Sequence, residues 1–262
     1  MQYPVIGFFD SGVGGLTVWK AVRRLMPHAD LIYLGDQAWC PYGTRPVQDI
    51  LQRAGLITEF LLASSCKIIV VACNTATAAA IHWLRQTFPV PFVGMEPAVK
   101  PAASFSKTGH IGVLATEGTF RGNLFQDTVR KYAGHVQVHL QIGHGLVELV
   151  ENGVVQPAQA LDLIGTYLLP MQNKGVDQLV LGCTHYPFLL PYIEQLAGHT
   201  MQVIDPAPAV AQQVQRLAGT SGLVQVTGKQ IFYTTGDNMA FRQFLLAQKI
   251  GTPHDLVEKV PL

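Results

Sequence analysis

The chain has 262 residues, 48% of them hydrophobic and 13% charged, and its 18 Lys plus Arg against 17 Asp plus Glu leave a formal net charge of +1. That is enough apolar material for one large domain or two ordinary ones. The balanced charge excludes a general attraction to nucleic acid or to an anionic membrane. The start, MQYPVIGFFD, has no basic region ahead of its apolar residues, and no run approaches the length that spans a bilayer. We therefore expect a soluble cytoplasmic protein with no membrane and no nucleic-acid partner. Cys40, Cys66, Cys73 and Cys183 are the four cysteines. Their spacing suits neither a small disulfide scaffold nor a zinc motif, so reduced thiols are expected, with no metal.

Taken in chain order, short apolar runs alternate with longer helical patterns. Strands are expected at Val5–Phe9, Leu31–Gly35, Ile68–Ala72, Phe92–Gly94, Ile111–Ala115, Val136–Leu140, Leu179–Gly182 and Gln202–Ile204. Helices are expected at Leu16–Met26, Pro46–Ser64, Ala76–Phe88, Phe120–Ala133, Gly145–Glu151, Ala158–Gln172 and Pro208–Leu217. Continuous apolar strands alternating with helices predict an α/β fold with mostly parallel sheets.

Two motifs repeat in the same order at nearly equal separation. Ile6-Gly7-Phe8-Phe9-Asp10-Ser11 matches Ile111-Gly112-Val113-Leu114-Ala115-Thr116, and Cys73-Asn74-Thr75 matches Cys183-Thr184-His185. The repeat predicts two similar lobes, each a mostly parallel sheet flanked by helices, related by a pseudo-twofold axis. Ligands of open α/β sheets bind beyond the carboxyl ends of the strands, where both cysteines lie. Facing lobes would put Cys73 and Cys183 on opposite sides of one cleft.

Opposed thiols suit racemisation at a carbon beside a carboxylate. One thiolate removes the α-proton while the other thiol delivers a proton to the opposite face. An unperturbed thiol is only a few per cent ionised at neutral pH, so each needs local help. A helix N-terminus after each cysteine would supply some. Asp10 is placed to relay a proton for Cys73, and His185 for Cys183. Amides and hydroxyls at Asn74, Thr75 and Thr184, in first helical turns, would stabilise the developing carboxylate charge, and Ser11 would hold substrate. Plainer readings stand beside these. Cys66 reads as core, Asp10 could cap the turn after it, and His185 could be a satisfied buried histidine. Asp10-Ser11-Gly12-Val13-Gly14-Gly15-Leu16-Thr17 fits neither nucleotide-loop pattern and reads as a tight turn and anion-binding nest.

The segments FFDSGVGGLTV (8–18), YLGDQAWCPYGTR (33–45), VVACNTATA (70–78), LGCTHYPFL (181–189) and IDPA (204–207) closely resemble the aspartate/glutamate racemase family, and within it the glutamate racemases. The resemblance implies cofactor-independent interconversion of L- and D-glutamate for peptidoglycan, in a homodimer. It implies a first lobe of residues 1–97 plus 207–262 and a second of 98–206. Cys73 and Cys183 match the catalytic cysteines, the first acting on the D- and the second on the L-enantiomer. Asp10, Ser11, Tyr42, Gly43, Asn74, Thr75, Thr184 and His185 match substrate-binding or proton-relay positions. Thr116 and Thr119 resemble hydroxyl contacts from the second lobe, and Glu151 an acid that assists proton transfer.

There are departures. The family often begins its L-V-P-L-V-E segment with Cys-Pro, whereas residues 143–151 read GHGLVELVE, with Gly143, His144 and Glu148 at the altered places. A solvated helix acid is the plainer reading of Glu151. Cys40 matches no catalytic position. Some members carry an N-terminal extension linked to activation by a cell-wall precursor; Asp10 lies so near the start here that no such activation is expected. An aspartate racemase and a non-catalytic amino-acid-binding protein are the rival readings.

Overall fold

The computed structural model describes residues 4–153, 156–219 and 227–262. The first sheet opens with β1 (Ile6–Asp10), α1 (Leu16–Leu25), β2 (Leu31–Gly35), α2 (Val47–Ala63), β3 (Ile68–Val71), α3 (Asn74–Thr87) and β4 (Phe92–Gly94). Through α4 (Val99–Phe105) the chain crosses to a second sheet. This contains β5 (His110–Ala115), α5 (Glu117–Arg121), α6 (Asn123–Tyr132), β6 (Gln137–Ile142), α7 (Leu146–Glu151), α8 (Pro157–Asn173), β7 (Gln178–Gly182), α9 (Leu190–Ala197) and β8 (Gln202–Ile204). It then returns through α10 (Ala207–Ala218) to add β9 (Gln230–Thr234), α11 (Asn238–Ala247) and β10 (Leu256–Lys259) to the first.

The strand orders are β10-β9-β2-β1-β3-β4 and β6-β5-β7-β8, and every pairing is parallel. The first four strands of each half therefore share one order, β2-β1-β3-β4 against β6-β5-β7-β8. This is the duplication that the repeated motifs predict. The central strands β1, β2, β3 and β7 are buried at every position, as continuous apolar runs require.

One core runs from the first sheet (Ile6, Phe8, Leu31, Tyr33, Val70) to the second (Leu114, Leu179, Leu181), and α1 packs on α10 within it. Separate cores cover the other face of each sheet. The halves are thus joined by shared apolar burial, and the carboxyl ends of β1 and β3 face those of β5 and β7.

Three expectations change in detail. The helix predicted over Phe120–Ala133 is two helices, broken at Gly122, whose backbone is extended and presses on Ala78 of α3. The helix after Cys73 starts at Asn74, with Cys73 as its cap. Directly after Cys183 comes a 3₁₀ turn, Tyr186–Leu189, and the regular helix, α9, starts only at Leu190. Among the described residues, no helix is long and apolar enough to cross a membrane.

Candidate active site

Cys73 follows β3 and Cys183 follows β7, so the two thiols leave equivalent strands of the duplicated sheet. Both line one narrow, nearly closed cavity of about 10 Å³, together with Ser11, Tyr42, Gly43, Asn74, Thr75, Thr116, Thr184, His185, Pro41 and Val147. Of the residues named from sequence, Asp10, Thr119 and Glu151 do not line it and stand behind those that do.

The Cys73 side is built on α3. Cys73 is its N-cap, and the Ala76 N–H donates to Sγ at 3.4 Å. Its Sγ lies 3.9 Å from Ser11 Oγ, which is 3.5 Å from Asp10 Oδ1. Asp10 is fully buried, and Oδ2 accepts from the Gly15 N–H at 2.8 Å, so it caps the turn and faces the thiol chain at once. Burial raises the Cys73 pKa well above its usual range, and the Asp10 charge raises it further. Burial also raises Asp10, against the lowering influence of His185.

The Cys183 side is built on an imidazole. His185 Nδ1 lies 3.7 Å from Cys183 Sγ, and its Nε2 lies 2.6 Å from Glu151 Oε1. Glu151 ends α7; Oε1 also accepts from the Val13 N–H at 2.7 Å, and Oε2 from Gln37 Nε2 at 3.2 Å. Burial opposes a charge on His185, but its bonds to Cys183, Cys40 and Glu151 prevail and hold its pKa well above the usual histidine range. Burial would raise Glu151, yet the His185 bond and charge keep it below the ordinary value. Glu151 is therefore no solvated helix acid. In the glycine-rich loop, read from sequence as an anion-binding nest, a single amide, that of Val13, donates to the Glu151 carboxylate of the other half. A Cβ on Gly12 would collide with that carboxylate, and one on Gly14 with the His185 ring.

The Asn74 side chain is 4% exposed, lines the cavity, and has no hydrogen-bond partner among the described residues for either amide atom. Burying both ends of an amide unpaired is costly, so this amide is open to hydrogen bonds from water or a polar guest in the cavity. Thr75 Oγ1 meets Thr116 Oγ1 at 2.8 Å, and Thr119 Oγ1 meets Thr116 Oγ1 at 2.9 Å, which closes the cavity across the halves.

Sequence reasoning missed what holds Tyr42-Gly43. Asp36, buried at the end of β2, accepts from Arg53 Nε and Nη2 at 2.8 and 2.7 Å, from Tyr42 Oη at 2.5 Å and from Thr235 Oγ1 at 2.8 Å. Arg45 and Arg53 lie over the Trp39 ring at 4.8 and 5.0 Å. Asp36 stands at a strand end just as Asp10 does, and that was the available signal. Cys40 was also undervalued: it reaches the His185–Glu151 pair, and burial pushes its thiol up to about 11.

The sequence model of the Asp/Glu/Hydantoin racemase family matches residues 17–214. The chain is 44% identical over 259 residues to a glutamate racemase of Roseiflexus sp. (strain RS-1), covering 97% of this chain and 94% of that one. Its structure is similar to glutamate racemase isoform RacE1 of Bacillus anthracis, with a TM-score of 0.90, 33% identity and coverage of 100% and 99%. It is also similar to Escherichia coli glutamate racemase in complex with L-glutamate and the activator UDP-MurNAc-Ala, with a TM-score of 0.87, 29% identity and 98% coverage of each. The chain belongs to the Asp/Glu/Hydantoin racemase family and, within it, to the glutamate racemases.

Proposed function

We propose that this chain racemises glutamate by two-base catalysis through Cys73 and Cys183, without a cofactor. The observation that carries the reading is the pair of thiols from equivalent strands lining one cavity beside the unpartnered Asn74 amide. With D-glutamate, the Cys73 thiolate removes the α-proton and the Cys183 thiol protonates the opposite face; with L-glutamate the roles reverse. Every proton is accounted for, because one thiol gains what the other gives. Resetting the pair moves protons along Cys73–Ser11–Asp10 on one side and Cys183–His185–Glu151 on the other.

Asn74 holds a substrate carboxylate or ammonium through its amide. Hydroxyls of Ser11, Thr75, Thr116 and Thr184 and the backbone at Tyr42-Gly43 complete the polar wall, with Thr119 fixing Thr116 from behind. The negative charge that develops on the α-carboxylate is favoured by the N-terminus of α3 and by protonated His185. That L-glutamate is held by the Escherichia coli relative supports the substrate. We further propose, on the family resemblance, that the product D-glutamate serves peptidoglycan synthesis and that the protein acts as a cytoplasmic homodimer. The lobes would be 1–97 plus 207–262 and 98–206, a division supported by the sheet to which each strand belongs.

The test is to add L-glutamate to the protein in deuterated water with no cofactor, following the α-proton signal and the optical rotation. Loss of both is expected. Loss of both with L-aspartate alone would transfer the assignment to that substrate, and loss with neither would sink it.

A further inference from the structure

Cys40 is used by no step above, yet it sits at the back of the Cys183 half of the site. Its Sγ, a Glu151 carboxylate oxygen and a His185 ring nitrogen all lie within 4.8 Å of one another. They come from three distant places: the 3₁₀ segment after β2, the last residue of α7 and the turn after β7. Gly12 lets the carboxylate and the thiol approach the loop closely, since a Cβ there would collide with the carboxylate and stand 3.1 Å from Cys40 Sγ.

One thiol, one imidazole and one carboxylate form a borderline-soft donor set of the kind zinc prefers, and three protein ligands leave a fourth position for water. Cys40 and Glu151 are both partly exposed, so a cation can reach them. Bonds of about 2.0–2.3 Å require ligand atoms roughly 3.3–3.6 Å apart around a tetrahedral ion. The cluster therefore needs only a small adjustment, with His185 and Glu151 parting slightly.

We propose that Cys40, Glu151 and His185 bind a zinc-class divalent cation, and that the bound ion arrests racemisation. The ion takes the place of the proton between His185 Nε2 and Glu151. The Cys40 thiol and the His185 imidazolium each release a proton to solvent, and the thiolate and carboxylate charges balance the divalent ion. His185 keeps only its Nδ1 proton, facing Cys183, and can no longer pass a proton onward to Glu151. The arrest rests on the proposed two-thiol reaction; the binding does not.

The test uses the full chain. Cobalt(II), a spectroscopic stand-in for zinc, should give a thiolate-to-metal charge-transfer band that zinc then removes. Cys40→Ser should lose the band and weaken zinc binding by at least roughly 100-fold, its racemase rate being compared with and without zinc. Zinc should stop the wild type and spare the variant. An alkylation assay on the wild type keeps the idea testable if the variant fails to fold: zinc should protect Cys40 from iodoacetamide. Zinc binding unchanged in Cys40→Ser, or Cys40 alkylated at its metal-free rate, overturns the site. Binding as described with the rate untouched overturns the arrest. A protein inactive towards glutamate would sink the proposed reaction, and the cobalt band would still decide the site.

Discussion

The two sides of the cleft share a frame and differ in what supports the thiol. Cys73 caps a 14-residue helix and faces a buried carboxyl; Cys183 precedes a 3₁₀ turn and faces an imidazole backed by a carboxylate. A helix N-terminus supplies part of a positive charge at no proton cost, whereas a protonated histidine supplies a whole one that can also move. Where the chain gives up the helix on the Cys183 side, it places His185 instead. The duplicated sheet thus fixes where each thiol stands, and the loops decide how each is charged.

The largest effects should come from the thiols themselves. Cys73→Ala and Cys183→Ala should each lower racemisation by about 10²–10⁴-fold, the usual yield of a positioned base. The comparison sharpens if α-proton exchange is followed with each enantiomer in deuterated water. Cys73→Ala should still exchange L-glutamate slowly without inverting it, because Cys183 can renew its proton through His185 and the partly exposed Glu151. Cys183→Ala should exchange D-glutamate more slowly still, because Asp10 is sealed from solvent. Equal residual exchange in the two variants would mean that the unlike supports do not matter to proton supply.

A second contrast lies at the ends of β2 and β6, which occupy equivalent places in the two sheets. The first carries Asp36 with its three side-chain partners; the second carries Gly143, where the Tyr186 hydroxyl fills the space a side chain would take. Arg53→Met should cost about 3–5 kcal/mol in urea unfolding, since it strands the buried Asp36 carboxylate. KM should rise as Tyr42-Gly43 loosens. Asp36→Leu combined with Arg53→Met should recover part of the loss, and a further loss instead would count against a stranded charge.

His185→Gln and Asp10→Asn test the proton paths. Enantiomers have equal free energy in water, so kcat/KM must fall together in both directions, and the two paths are told apart by pH. His185→Gln should cost about 10²-fold. Asp10→Asn should cost less in rate but move the alkaline rise of the profile. The Asp10 charge helps to raise the Cys73 pKa, so removing it lets the thiolate form at lower pH. The rise should therefore shift towards neutrality in Asp10→Asn. An unmoved profile would detach Asp10 from Cys73.

Much of this frame is legible in the amino-acid sequence, because buried parallel strands read as unbroken apolar runs and both cysteines follow such runs. The strands β9 and β10 escaped because they are only partly buried, β10 lying at the sheet edge, and carry polar residues, and α4 because it has only 7 residues. The Asp36–Arg53 pair and the meeting of Cys40, Glu151 and His185 could not be read at all. The first joins the end of β2 to the middle of α2 within one half, and the second is created only where the two halves dock; local periodicity marks neither. Glu151 shows the difference: its sequence neighbourhood suggests a helix end, and only the fold brings it to the amide of Val13 and the ring of His185.

The smallest predicted effect concerns how the two sides touch. Ser11 and Thr116 end the equivalent strands β1 and β5. Ser11 turns to the thiol of its own half, while Thr116 reaches Thr75 of the other, 2.8 Å away. That bond joins the halves directly at the cavity wall. Thr75→Val and Thr116→Val keep the shape and remove the hydroxyls, and a double-mutant cycle should give a coupling of about 0.5–1.5 kcal/mol. Thr116→Val should be the costlier single change, because it also leaves Thr119 without its hydroxyl partner. Coupling in unfolding free energy, with KM raised in each variant, would show that the bond holds the cleft shut around substrate. Strict additivity would mean that the two hydroxyls act on substrate separately, and that shared apolar burial alone holds the halves together.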